Sequence, residues 1–252
     1  MKREQTYALC FAAALLLLWE LAARLSGNSF FPSLLDTLAA LRANAGVILE
    51  QMGVTLLRAA IGLVIVIVTM IPLGILIGRV RLLGEIFEPL VNMMRPLPPP
   101  AVAPIAMLFA GTGDAGKIAM IVFACSFPIL LNTIDGVRAG HPMLTLTARS
   151  LRLKRWETMW FIDLPATLPI IMTGIRLAVS AALLVAVVSE MLLTTNGIGV
   201  YLLRSQEMFR IADGLAGVLV IAACGWLINA GVLRLDRWLL RWHYATTGAP
   251  DD

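Results

Sequence analysis

Three ionisable residues lie inside otherwise apolar runs of this chain: Arg95, Arg176 and Glu190. A charge at membrane depth is costly, so it marks either a solute pathway or a structural pair with a neighbouring helix. Arg176 and Glu190 are 14 positions apart in one apolar run. On a helix that is roughly 21 Å, so they cannot pair with each other, and each needs another partner or a wet environment. A second candidate is Gly111-Thr112-Gly113-Asp114-Ala115-Gly116-Lys117, which has the spacing of a phosphate-cradling loop. That loop needs Ser or Thr after the lysine to hold magnesium, together with a preceding strand. Here Ile118 follows and apolar runs flank the segment, so it is expected to be a short external turn. His141 and His243 are far apart, and Cys10, Cys125 and Cys224 are an odd set without paired spacing. Neither a metal site nor a disulfide framework is expected. No cluster of His, Cys or acidic residues has catalytic spacing, so no enzyme activity and no bound cofactor are expected of the chain itself.

The elements that must position these charges are membrane spans. The chain is 59% hydrophobic and 14% charged, against about 25% charged in soluble domains. Several apolar runs approach the roughly 20 residues that cross a bilayer. The expected class is an all-α polytopic membrane protein with about six spans. The net charge of +4 reflects basic loops between spans rather than a nucleic-acid partner.

Lys2 and Arg3 precede an apolar run from Tyr7 to Ala23. It is expected to be a retained first span within an N-terminal unit, residues 1–30, because Arg24-Leu25-Ser26 is a poor cleavage site. Residues 31–52 read as an amphipathic surface helix with Ser33 as N-cap. The core, residues 53–235, starts with an uncharged second span from Ala59 to Gly78, closed by Gly74 and Gly78 at a spacing that permits close helix approach. A third span, about 87–110, contains Arg95 followed by Pro96, Pro98, Pro99, Pro100 and Pro104. Broken backbone at that depth must be buried or line a cavity. Further spans are expected over 118–134 (with Asn132), 164–194 and 214–233, with a loop over 196–210 and a cytoplasmic tail over 236–252. This arrangement, with both termini inside, puts most of the 20 Lys and Arg on the cytoplasmic side.

The longest polar interruption is Gly140 to Arg176, carrying Arg149, Arg152, Lys154, Arg155, Glu157 and Asp163. It reads as one structured cytoplasmic lever between two spans. Ala148-Arg149-Ser150-Leu151, Trp156, the run Leu164-Pro165-Ala166-Thr167-Leu168-Pro169, and Thr173-Gly174-Ile175-Arg176-Leu177 resemble the EAA-loop region of permease subunits of bacterial ABC importers. Arg95-Pro96-Leu97-Pro98-Pro99, the stretch from Phe109 to Lys117, Ser189-Glu190-Met191 with Gly197-Ile198-Gly199, and Phe31-Pro32-Ser33 resemble the nitrate/sulfonate/taurine branch of that family.

The resemblance implies a type I importer permease (MetI-like) of the inner membrane. Two permease subunits form the pore, cytoplasmic ATPases carry ATP and Mg, and a periplasmic or lipid-anchored binding protein delivers a small solute. The coupling helix would lie over 142–156, inside a loop spanning 140–165, with Leu146, Ala148, Arg149, Ser150, Leu151, Arg152, Lys154, Arg155 and Trp156 at the ATPase and Pro165 setting the return into the membrane. Pathway or gate candidates are Arg95, Pro96, Asn132, Ser189 and Glu190. For Glu190, a gate role and an ion pair with a loop arginine such as Arg204 both stay open. For Arg176, a structural bridge to a neighbouring span is expected. The chain departs from the pattern at Leu146, where the family has Glu, and at Arg152, where it has Gly. Arg152 either continues the helix or forces a different turn. A homodimer is expected, with a second, different permease as the other possibility. An ion-gradient-driven transporter or channel is the competing reading, with Arg95, Arg176 and Glu190 as its coupling residues.

Overall fold

The computed structural model describes residues 2–27, 30–139, 143, 148, 150–193 and 195–242. Among these every regular element is helical. Leu146 and Arg149 of the expected coupling helix, and the side chains of Arg155 and Trp156, lie outside the described residues.

Helix α1 (Lys2–Ser26) leads to α2 (Leu34–Arg79). Ser33 caps α2 in a full capping box. Its hydroxyl accepts the Asp36 N–H, and its own N–H donates to the Asp36 carboxylate, both at 3.1 Å. Glu20 of α1 accepts the Leu34 N–H at 2.9 Å, and the Trp19 indole donates to the Pro32 carbonyl, so α1 is tied to the start of α2. The sequence suggested a surface helix and a separate span. The structure makes them one helix of 46 residues, about 69 Å long. No proline lies between 33 and 71, and the scattered glycines Gly46, Gly53 and Gly62 are each too weak a breaker to stop the helix.

The chain then breaks where the prolines predict. Helix α3 (Arg81–Met94) stops at Arg95, and α4 (Pro99–Ala110) starts with Pro99 at its first position, where its missing N–H costs nothing. Helix α5 (Asp114–Arg138) follows the Gly111–Gly113 turn. After the polar segment come a short helix α6 (Arg155–Thr158), one π-helical turn (Met159–Asp163) and α7 (Leu164–Leu192). Pro165 therefore sits just inside α7 and does not interrupt it. The wider turn, closed by Leu164 N–H to the Met159 carbonyl, absorbs the missing proline donor. The expected 196–210 loop contains helix α8 (Ile198–Glu207), and α9 (Ile211–Leu239) ends the bundle.

The core lies where α5 is held between α2 and α7. Val66, Met120, Ile121, Cys125, Ile129, Ala178, Ala182 and Ala186 are all fully or almost fully buried there. Gly74 and Gly78 make the close approach possible: a Cβ at either would stand 2.7 Å from Thr133 and 2.9 Å from Val137 of α5. Four helices among the described residues, α2, α5, α7 and α9, are long and apolar enough to cross a membrane. The region expected as a single third span is the broken α3–α4 pair. Leucines and aromatics such as Phe11, Leu18, Leu57, Leu184 and Trp226 are left exposed, which suits a lipid-facing surface.

Candidate functional site

Two of the polar regions within this apolar bundle hold the residues that the sequence singled out as pathway or gate candidates. The first is a cavity of about 430 Å³ between the α3–α4 break and α5, closed on one side by Leu177 of α7. The proline break projects Arg95 into it, and α5 contributes Asn132 and Asp135. Asn132 donates its amide to the Pro128 carbonyl at 2.8 Å, which leaves its oxygen for the cavity. Glu88 lines the same wall but is held by Arg138 at 2.9 Å. Phe123 and Phe127, edge to face at 5.1 Å, supply the apolar wall. The structure thus brings Arg95 and Asn132 together. Pro96 belongs to the break beside them. Ser189 and Glu190 are elsewhere, with Glu190 about 20 Å further along α7 than Leu177.

Glu190 forms the second region, a buried knot. Its side chain is fully enclosed, and that of Arg58 is 3% exposed. All five guanidinium donors of Arg58 are used. Nη1 donates to Glu190 at 2.7 Å and to the Asn196 carbonyl at 2.9 Å. Nε and Nη2 reach Asp114 at 2.9 and 2.5 Å, and Nη2 also meets the Asn196 side-chain oxygen. Thr55 donates to the Glu190 carboxylate at 2.9 Å and accepts the Ile198 N–H at 3.0 Å. Glu190 accepts the Gly199 N–H at 3.0 Å, and Gln51 accepts that of Gly197 at 2.6 Å. The first N–H groups of α8, which lack partners within their own helix, are capped by side chains from α2 and α7.

This arrangement explains the Ser189-Glu190 and Gly197-Ile198-Gly199 pairing. Gly197 has φ +114° and a Cβ there would strike the Glu190 carboxylate, while one at Gly199 would strike the Val187 carbonyl. Glu190 pairs with Arg58, not with Arg204. Arg58 is not among the residues that the sequence singled out. The available signal was Gln51, Thr55 and Arg58, a polar stripe at i, i+4 and i+7 on one helix face. Lys117 is also not in an exposed turn. It lies one turn into α5, fully buried, with its ammonium on the Thr195 hydroxyl. The turn proper is Gly111–Gly113.

At the other end of α7, Arg176 pairs with the buried Asp236 of α9. Asp236 was unmarked in the sequence because it lies among the basic residues of the predicted tail. α9 continues through it to Leu239. In the polar segment, Arg152 adopts φ +50°, and the Leu153 N–H donates to the Ala148 carbonyl at 3.0 Å. A left-handed residue closed by this six-residue bond is the Schellman end of a helix. Arg152 thus occupies the glycine-type position without a glycine. Lys154 immediately precedes α6, its N–H donating to Glu157 at 2.7 Å.

A family model described as the binding-protein-dependent transport system inner membrane component matches residues 70–242. The chain belongs to this family. Among its relatives, the taurine transport system permease protein TauC of Escherichia coli (strain K12) is 29% identical over 252 residues, covering 96% of this chain and 92% of the relative. The putative aliphatic sulfonates transport permease protein SsuC of Bacillus subtilis (strain 168) is 30% identical, covering 81% and 74%. The bicarbonate transport system permease protein CmpB of Synechococcus elongatus is 32% identical, covering 74% and 68%. The chain is thus an inner-membrane-component family member of the nitrate/sulfonate/taurine type. The family match takes in the cavity, the Glu190 side of the knot and the Arg152 turn. Arg58, Thr55 and Gln51, on α2, precede it.

Proposed function

We propose that this chain is the permease subunit of an ATP-driven importer and forms half of the translocation pathway for a small anionic solute. The observation that carries the reading is the Arg95 cavity within a member of a binding-protein-dependent transport family. Arg95 has no carboxylate partner among the described residues, so its charge is available to a solute anion. The names of the relatives support the solute class, since taurine, sulfonates and bicarbonate are small and carry an oxyanion.

In this reading α1 and the α3–α4 pair join the four long helices to give six spans with both termini cytoplasmic. A second copy completes the pore, and a binding protein delivers the solute. Partner ATPases carry ATP and Mg and dock on the segment around Ala148, Ser150 and Leu151. Arg152 and Lys154, both exposed, add contacts to acidic groups of the ATPase beside Leu146, Arg149, Arg155, Trp156 and Pro165. Pro96 sets the break, while Ser189 and Glu190 fix the far end of the pathway. The gradient-driven alternative needs free intramembrane charges, and two of its three candidates, Arg176 and Glu190, are held in ion pairs.

The test is purification from native membrane under mild detergent, followed by reconstitution of what co-purifies. Recovery of an ATPase, with uptake that requires ATP and survives collapse of ion gradients, is the expected outcome. Uptake by the chain without any ATPase, abolished by collapsing the gradient, would replace this reading with the alternative. Charge reversal at Arg152 and Lys154 should lower uptake and stimulated ATP hydrolysis together; unchanged coupling would remove them from the docking surface.

A further inference from the structure

A second cavity, about 260 Å³, opens at the end of the bundle where α7 meets α8, beside the knot and away from the Arg95 cavity. Its polar wall consists almost wholly of hydrogen-bond donors. Gln51 and Asn196 both line it. Each has its side-chain oxygen engaged, Gln51 by the Gly197 N–H and Asn196 by Arg58, so each presents its NH₂ group as the free end. Arg204 lines the cavity with no carboxylate partner among the described residues. The Tyr201 hydroxyl is enclosed and lacks a hydrogen-bond partner. The neighbouring Ser205 hydroxyl adjoins it without closing a bond of normal geometry. Burial, then the nearby Asp213 carboxylate, push the Tyr201 pKa up, which keeps its proton in place as a donor. The one carboxylate on the wall, Asp213, is already occupied by Arg210 at 2.5 Å and by the Asn44 amide at 3.0 Å.

An enclosed donor without an acceptor is costly; the Tyr201 hydroxyl is such a donor, and the half-buried Gln51 amide and the exposed Asn196 amide and Arg204 guanidinium border the same small space. We propose that this cavity is a binding site for a small oxyanion group, held by the Arg204 guanidinium with the Tyr201 hydroxyl and the Gln51 and Asn196 amides. The charge-assisted contact from Arg204 fixes the anion, and the neutral donors complete its remaining lone pairs. The cavity is below the usual range for drug-sized ligands, so the group is of sulfonate, carboxylate or phosphate size. It is either a free solute or the phosphate of a lipid headgroup. Gln51 and Asn196 also hold the Gly197 turn, so occupancy bears on the segment that links α7 to α8. The site does not depend on ATP being the energy source.

The test uses the full chain, with whatever subunits co-purify, in lipid nanodiscs. Sodium methanesulfonate is titrated against sodium chloride at constant ionic strength, with binding read by calorimetry. Native mass spectrometry of the same preparations reads retained phospholipid. Saturable methanesulfonate binding, weakened at least tenfold in Arg204→Gln and severalfold in Tyr201→Phe but unchanged in Arg234→Gln, supports a solute site. Retained phosphatidylglycerol that is lost in Arg204→Gln, with methanesulfonate binding only after delipidation, supports the same site with a headgroup phosphate as occupant. Tyr201→Phe removes one hydroxyl and keeps the ring, so it reads the site even where Arg204→Gln perturbs the fold. Neither ligand binding, or binding indifferent to both substitutions, overturns the proposal.

Discussion

The carboxylate of Glu190, near the end of α7, accepts the backbone N–H of Gly199 in the first turn of α8 at 3.0 Å. An acid at a helix N-terminus is favourable through both the free amides and the helix dipole. Here it is also the counter-ion of the buried Arg58. One side chain thus ends one helix, starts another and neutralises a third.

Removing one charge of a buried pair strands the other, at a cost of about 3–5 kcal/mol. Glu190→Gln should therefore destabilise the protein by roughly that amount, and Arg58→Gln similarly. The double substitution should cost clearly less than the sum, because neither charge is then left alone. Thermal or denaturant unfolding of the four proteins gives the cycle. Strict additivity would mean that Arg58 is satisfied by Asp114 and Asn196 alone.

Gly197→Ala strains a φ of +114° and drives a Cβ into the Glu190 carboxylate. The loss should be about 3 kcal/mol or more, from backbone strain and displacement of the ion pair together. Gly53→Ala in α2 is the matched control. Its Cβ meets open space, and alanine is the better helix former by roughly 0.5–1 kcal/mol. Opposite shifts in unfolding temperature are expected. Parallel losses would show that α2 tolerates no added side chain and that the Gly197 turn is nothing special.

Arg152 holds a left-handed conformation at φ +50° that costs a non-glycine residue about 1 kcal/mol or more. Arg152→Gly should tighten the turn. The readout is local: the Leu153 amide, bonded to the Ala148 carbonyl, should exchange with deuterium about fivefold more slowly, the factor for 1 kcal/mol. Faster exchange would mean that the arginine side chain stabilises the turn by more than its backbone strain costs.

What could be read in the sequence divides along physical lines. Local signals were sound. The Ser33 cap, the proline break after Arg95 and the close approach at Gly74 and Gly78 are each set by residues within a few positions. The separation of Arg176 from Glu190 also held, since rise per residue alone fixes it. Partners chosen by tertiary packing could not be read: Arg58 for Glu190, Asp236 for Arg176 and Thr195 for Lys117 lie 132, 60 and 78 positions away. Helix α8 reads as loop in the sequence because its cap comes from Glu190, a residue outside the helix, and because Arg204 and Glu207 break the apolar pattern. The join between the surface helix and the second span was hidden for a related reason. A change from amphipathic to uniformly apolar sequence looks like a boundary, but it records only where the helix leaves one environment for another.

Arg95 provides the counterpart to the knot. It lines its cavity without a carboxylate partner among the described residues, at the end of α3 where it is exposed. An exposed charge held in no ion pair among the described residues contributes little to folding, so Arg95→Gln should leave the unfolding temperature nearly unchanged. Its effect should fall on transport. Losing one charge-assisted contact to an anion costs about 1.5–3 kcal/mol, which corresponds to a tenfold or greater fall in the uptake rate of an anionic solute. Arg95→Lys keeps the charge but loses the planar fork, and should recover part of the rate. The measurement is uptake in proteoliposomes beside thermal unfolding of the same preparations. Destabilisation without a transport defect in the folded fraction would assign Arg95 to structure and move the pathway elsewhere. A transport defect at unchanged stability, partly restored by lysine, places the solute anion beside the α3–α4 break.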